Sequence, residues 1–167
     1  LILINHQSML DIIVMEHLHN RNIAWVAKKE ITDLFFFGHI IKAPRMISID
    51  RENKAGLIHL LSEAKDRLSK GRPIAMFPEG TRSDGTYIGE FKAGAKMVGN
   101  KFNLKVQPVV MFNTRNIVNS QKMEAAPGVV KVIYLEPIVA SKDTSWYEDC
   151  EKNMKEVFEK EYKNYVS

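Results

Sequence analysis

Short, wholly apolar runs alternate along this chain with longer segments of helical periodicity, and that alternation limits the fold more than any other feature. Leu1–Ile4, Ile23–Ala27, Met46–Ile49, Pro73–Phe77, Val106–Phe112 and Val129–Leu135 read as strands. Between them, Ser8–Asn20 carries Leu10, Ile13, Val14 and Leu18 at helical spacing, and Ile31–Ile41 reads as an apolar helix. Asn53–Lys70 places Leu57, Leu61, Ala64 and Leu68 on one face and is ended by Gly71. Lys92–Phe102 reads as a further helix, and Trp146, Cys150, Met154, Val157, Phe158 and Tyr165 mark a closing amphipathic one. Asp84–Glu90 is a loop, and Ala125-Ala126-Pro127-Gly128 a hairpin-like connection. Strands separated by helices of about ten residues or more predict an α/β fold, with a mostly parallel central sheet flanked by helices. With 167 residues, no internal repeat and no linker, residues 1–167 read as a single domain.

In such sheets ligands gather at the loops beyond the carboxyl ends of the strands. Three polar clusters occupy those places. The first is Asn5-His6-Gln7-Ser8-Met9-Leu10-Asp11. Ser8 is a favourable N-cap, which puts Asp11 in the first helical turn. Helical side chains lean toward the N-terminus, so the Asp11 carboxylate leans back toward His6. Two readings stand. In one, Ser8 and Asp11 form a capping box that serves only the helix end. In the other, Asp11 fixes the imidazole tautomer of His6 and stabilises the cation formed when His6 takes up a proton. No nucleophile signature such as Gly-x-Ser-x-Gly accompanies the pair, so a base here would act on a substrate hydroxyl.

The second cluster, Ile49-Asp50-Arg51, and the third, Phe77-Pro78-Glu79-Gly80-Thr81-Arg82-Ser83, each end a strand. Arg51 and Arg82 supply bidentate donors suited to a phosphate, and Lys92 stands at a helix N-terminus, itself a place that favours anions. The alternative is that each arginine is a surface group paired with its neighbour Asp50 or Glu79. Lys and Arg number 24 against 20 Asp and Glu, a net charge of +4 that suits anionic partners without choosing among them.

Taken in order, Asn5-His6 with Asp11, Ile49-Asp50-Arg51, Phe77 to Ser83, and Val106-Gln107-Pro108-Val109 resemble the motifs of the glycerolipid acyltransferase family, the bacterial 1-acylglycerol-3-phosphate acyltransferases most of all. The resemblance runs to about Leu135. It implies a glycerol-3-phosphate acyltransferase-like fold and transfer of a fatty acyl group from acyl-CoA or acyl carrier protein to the sn-2 hydroxyl of lysophosphatidic acid, without an acyl-enzyme. Neighbouring expectations are glycerol-3-phosphate or another lysophospholipid as acceptor, and, in a different class, a phospholipid-binding domain without catalysis. By resemblance His6 is the general base and Asp11 its orienting partner. Arg51 and Arg82, joined by Lys92, hold the acceptor phosphate, and Glu79, Gly80 and Thr81 position the glycerol end. The same resemblance implies no cofactor beyond the donor substrate, work at a phospholipid surface on the cytoplasmic face of a bacterial inner membrane, and an N-terminal membrane-associated segment outside these residues.

Other features point elsewhere or nowhere. His17 and His19 lie two apart and do not share a helical face, and a lone Cys150 makes neither a disulfide framework nor a thiolate zinc site, so no metal is expected. A nucleic-acid module is disfavoured, because the basic residues form no stripe interleaved with aromatics. Three adjacent phenylalanines, Phe35-Phe36-Phe37, cannot all face inward from a helix, and contact with lipid is expected on at least one face. No apolar run approaches the ~18 residues of a membrane span.

Overall fold

The computed structural model describes residues 1–28, 46–49 and 54–166. The expected apolar helix Ile31–Ile41, with its phenylalanines, and the cluster residues Asp50 and Arg51 lie outside these residues. The elements are β1 (Ile2–Ile4), α1 (Leu10–Leu18), β2 (Ala24–Lys28), β3 (Ile47–Ile49), α2 (Lys54–Ser69), β4 (Ile74–Met76), α3 (Ala93–Phe102), β5 (Lys105–Phe112), α4 (Thr114–Ile117), β6 (Val118–Asn119), β7 (Glu124–Ala125), β8 (Lys131–Tyr134), β9 (Ile138–Val139) and α5 (Trp146–Val166).

One sheet runs in the order β3-β2-β4-β1-β5-β8, with β9 also paired to β5. From β3 to β5 every pairing is parallel, and β8 and β9 run antiparallel to β5. The mostly parallel sheet expected from the alternation is therefore present. A proline inside β5 is accommodated by a gap on one side. β8 pairs Tyr134 with Val109 and β9 pairs Ile138 with Val106, which leaves Pro108, with no N–H to offer, opposite the break. Gln107 bridges that break by donating from Nε2 to Leu135 O at 2.6 Å.

Alternation along the central strands fills both faces of the sheet. Leu1, Leu3, Ala24, Val26, Ile74 and Met76 face α2, α3 and α5, whereas Ile2, Ile4, Trp25 and Ala75 face α1. On α2, Leu60 and the expected Ala64 are fully buried, with Leu57, Leu61 and Leu68 packed beside them, and Gly71 follows the helix at φ 68°, a left-handed conformation that glycine adopts without strain. On α5, Trp146, Cys150, Met154 and Phe158 recur every four residues as one buried stripe, and burial pushes the Cys150 thiol up to about 12, leaving it inert.

Three local expectations are corrected. Helix α1 runs from Leu10 to Leu18, shorter at both ends than the expected Ser8–Asn20. Its core residue is Met15, while Ile13 and Leu18 are 48% and 47% exposed. Apolar side chains run almost right round this short helix, so periodicity alone could not choose its buried face. The hairpin lies earlier than expected, joining β6 to β7 across residues 120–123, ahead of Ala126-Pro127-Gly128.

Close packing of α3 on α5 rests on Gly99. A Cβ added there would meet Trp146 Cζ2 at 2.7 Å and Cη2 at 2.8 Å, and the indole is pinned by its Nε1 donating to Asn100 Oδ1 at 2.7 Å. Gly99→Ala is therefore expected to destabilise the fold. Overpacking of about 1–3 kcal/mol outweighs the ~0.5–1 kcal/mol that alanine gains in a helix. Thermal denaturation should show the midpoint falling by several degrees.

Candidate active site

Strands β1 and β4 are parallel neighbours, with Ile2 opposite Ala75 and Leu3 opposite Met76. Their carboxyl ends therefore open at the same edge, and the loops carrying His6 and Glu79 leave side by side. The two loops are stitched together on both sides of His6. Its N–H donates to Glu79 Oε1 at 2.7 Å, and its carbonyl accepts from Ser83 N at 2.8 Å.

The His6 ring is fixed by two contacts. Nδ1 lies 2.8 Å from Asp11 Oδ2, and the ring stacks on Phe77 with centroids 3.8 Å apart and an interplanar angle of 11°. An ionised carboxylate only accepts, so in the neutral ring this contact holds the proton on Nδ1 and leaves the lone pair on Nε2. Among the described residues Nε2 has no partner. The His6 side chain is 15% exposed and Asp11 0%, so the ring offers one edge outward while its orienting group stays dry. Such an imidazole can accept a proton at Nε2 and return it.

The Asp11 carboxylate makes the contacts that both readings of its sequence context require. Oδ2 accepts from His6 Nδ1, and also from the backbone N–H groups of Gln7 at 2.8 Å and Ser8 at 2.9 Å, the second being the back-bond of a capping box. Oδ1 accepts from the Thr114 hydroxyl. The Ser8 hydroxyl accepts from Leu10 N at 3.2 Å, the capping bond expected of it, and donates to Val118 O at 2.6 Å.

Glu79 is buried, and both of its oxygens are engaged by backbone: Oε1 by His6 N, Oε2 by Gly89 N at 2.7 Å. Burial raises its pKa above the ordinary value, against the lowering effect of the Gly89 and His6 hydrogen bonds. Gly80 takes φ 77° and turns the chain, so that Thr81 and Arg82 project outward as exposed residues. Arg82 Nη1 donates to Ser120 Oγ at 2.6 Å, a contact with the β6–β7 hairpin. Lys92 is the exposed N-cap residue of α3, and its N–H donates to Pro78 O at 2.8 Å, which docks that helix end against the same loop. His6, Asp11, Glu79, Gly80, Thr81, Arg82 and Lys92 thus share one edge of the sheet. Arg51 lies outside the described residues, two positions beyond the end of β3, a strand about 14 Å from β1 by the usual interstrand spacing.

Sequence reasoning passed over several supports. Asn5 clamps β1 to β5, its Nδ2 donating to Met111 O at 2.9 Å and its Oδ1 accepting from Met111 N at 2.7 Å. Arg115 ties α4 to the Glu79 loop through Ser83 O at 3.1 Å. Behind the loop a cavity of about 290 Å³ is lined by Gln7, Phe112, Arg115 and Tyr162 among others, but not by His6. Among the described residues there is no cluster of three or more His, Cys, Asp or Glu fit for a metal, and no helix long and apolar enough to cross a membrane.

The sequence model of the acyltransferase family matches residues 1–112. Over 167 residues the chain is 42% identical to a 1-acyl-sn-glycerol-3-phosphate acyltransferase of Helicobacter pylori, a match covering 97% of this chain and 69% of that protein. It is 31% identical over 139 residues to the Escherichia coli protein of the same name, covering 83% of this chain and 56% of that one. The crystal structure of the 1-acyl-sn-glycerophosphate (LPA) acyltransferase of Thermotoga maritima superposes with a TM-score of 0.75 at 26% identity, covering 99% of this chain and 66% of that one. The chain thus spans between about half and about two thirds of these relatives' length.

Proposed function

Because this chain belongs to the acyltransferase family, we propose that it moves a fatty acyl group from an acyl thioester to the sn-2 hydroxyl of lysophosphatidic acid, giving phosphatidic acid. The observation that carries the proposal is the 2.8 Å contact between His6 Nδ1 and Asp11 Oδ2, with Nε2 unpartnered among the described residues. The names of the relatives supply the acceptor. The donor is acyl-CoA or acyl carrier protein, and no further cofactor takes part.

In this mechanism Nε2 of His6 takes the proton of the acceptor hydroxyl as its oxygen attacks the thioester carbonyl. The new C–O bond forms, a tetrahedral oxyanion develops, and the C–S bond then breaks. The thiolate leaves with the proton returned from Nε2, so no acyl-enzyme intervenes. Asp11 stabilises the imidazolium present between the two transfers. Arg82, with Arg51 and Lys92, holds the acceptor phosphate, while Gly80 and Thr81 shape the turn against the glycerol end. A lysophospholipid presented by a membrane surface reaches this edge of the sheet, and the cytoplasmic face of the inner membrane is where acyl thioesters meet such an acceptor.

The deciding experiment is thiol release by the full-length parent protein, with lysophosphatidic acid as acceptor and acyl-CoA and acyl carrier protein as donors in parallel. Turnover dependent on both substrates is the expected result. Turnover with glycerol-3-phosphate alone would reassign the acceptor, and none with any glycerophosphate would end the proposal. Arg82→Ala tests the phosphate contact. Losing a charge-assisted hydrogen bond worth about 1.5–3 kcal/mol should raise KM for lysophosphatidic acid by roughly 10–100-fold and leave KM for the thioester nearly unchanged. Equal rises in both constants would take Arg82 out of the phosphate site.

A further inference from the structure

Asp11 can orient His6 only if the carboxylate is itself held. Rotation about its Cβ–Cγ bond is soft and carries both oxygens together, so a donor on Oδ1 resists it alongside the three on Oδ2. The second oxygen, Oδ1, has one donor among the described residues, the hydroxyl of Thr114, 103 residues further along the chain. Thr114 is fully buried and is the first residue of α4. It follows Asn113, whose left-handed φ of 71° turns the chain sharply out of β5. Three residues earlier on the same strand, Met111 is clamped by Asn5. The end of β5 therefore grips the His6 loop on both sides, through Asn5 before it and through Asp11 after it.

The chemistry of this partner matters as much as its place. Among the described residues no lysine or arginine pairs with Asp11. A cation there would compensate the charge that Asp11 has to present to the imidazolium, whereas a neutral hydroxyl fixes the geometry and leaves the charge in place. A hydroxyl carries a single proton, and the charged Oδ1 is a stronger acceptor than the Gln7 side-chain carbonyl 3.2 Å away on its other side.

We propose that Thr114 is a positioning residue of the acyl-transfer site, its hydroxyl holding Oδ1 and so helping to keep the carboxylate plane in which Asp11 Oδ2 meets His6 Nδ1. The assignment rests on the reading of His6 as general base.

Thr114→Val keeps the shape of the side chain and removes the proton, leaving Oδ1 buried without a donor. In the full-length protein, kcat for acylation of lysophosphatidic acid should fall by about 10–100-fold, the scale of a misplacement at a reacting centre, with KM for both substrates within about twofold of wild type. Thr114→Ser, which keeps the hydroxyl, should hold kcat within about threefold of wild type; this variant keeps the test open if the valine protein does not fold, because a hydroxyl-independent loss in serine would contradict the assignment. In an Asp11→Asn background the valine substitution should cost less than about threefold more, since a residue that acts through Asp11 has nothing left to position. A Thr114→Val enzyme with wild-type kcat, or one whose loss is undiminished in the Asp11→Asn background, would overturn the proposal. A wild-type protein inactive in the same assay would instead remove the reading of His6 on which the proposal stands.

Discussion

Asp11→Asn in the full-length protein is expected to lower kcat for acyl transfer by roughly 10²–10⁴-fold while the protein stays folded. Asparagine has one acceptor oxygen where aspartate has two, and the surroundings demand that choice be made. Directed at His6, the oxygen can still accept from Nδ1 and from the Gln7 and Ser8 amides, and the new –NH2 can donate to the Thr114 hydroxyl, whose proton then turns toward Gln7 Oε1. That arrangement keeps every hydrogen bond but removes the negative charge that stabilises the imidazolium. Turned the other way, the –NH2 confronts Nδ1 and two backbone N–H groups, and His6 can meet it only by moving its own proton to Nε2, where the base has to be. Both arrangements disable His6 and neither exposes a hydrophobic surface. Circular dichroism close to wild type, alongside turnover reduced by at least a hundredfold, is the outcome the mechanism requires. Turnover near that of wild type would remove the His6–Asp11 pair from the chemistry.

The dyad was legible because everything it needs is local. A strand, a helix start and a spacing of five residues suffice to bring His6 and Asp11 together, whichever strands are neighbours. What holds the dyad in place was not legible, because it comes from elsewhere in the chain. Thr114 and Met111 reach back across more than a hundred residues, and only the pairing of β5 beside β1 brings them there. The same limit applies to α1. Its side chains Leu10, Ile12, Ile13, Val14, Met15 and Leu18 are apolar on nearly all sides, and the choice of Met15 as the buried one is made by the sheet beneath it, not by the period. Strands of two residues, such as β6, β7 and β9, are too short to show any alternation. Glu79 is the instructive case within the site. A carboxylate in a Gly- and Arg-bearing loop suggests contact with a ligand, but its burial follows from β4 lying next to β1, a fact of topology that no motif spacing contains.

That burial carries the second large prediction. Glu79 joins the loop after β4 to the loop after β1, its carboxylate accepting from the backbone of His6 and of Gly89 at 2.7 Å each. Glu79→Ala leaves both amides without their acceptor in a region that is 3% exposed at this residue, at about 1–3 kcal/mol each. For a chain of this size the sum corresponds to a fall in Tm of roughly 5–15 °C. Activity should fall with it even at temperatures where the variant is folded, because the His6 backbone loses one of its two ties to the neighbouring loop. The pH dependence follows from burial, which raises the pKa of Glu79 above its ordinary value of 4.5. Over the interval between the unfolded and folded values the native state holds a proton that the unfolded chain has released, so stability declines as pH rises through it. The contribution of Glu79 is complete below about pH 4.5 and diminishes as pH climbs through the raised value. The alanine variant has no such group. Denaturant melts of both proteins across this range should therefore show the gap between them widest at low pH and narrower toward neutrality. A gap that instead widens as pH rises would mean that the two amide hydrogen bonds outweigh burial and that Glu79 is ionised more readily in the fold than outside it.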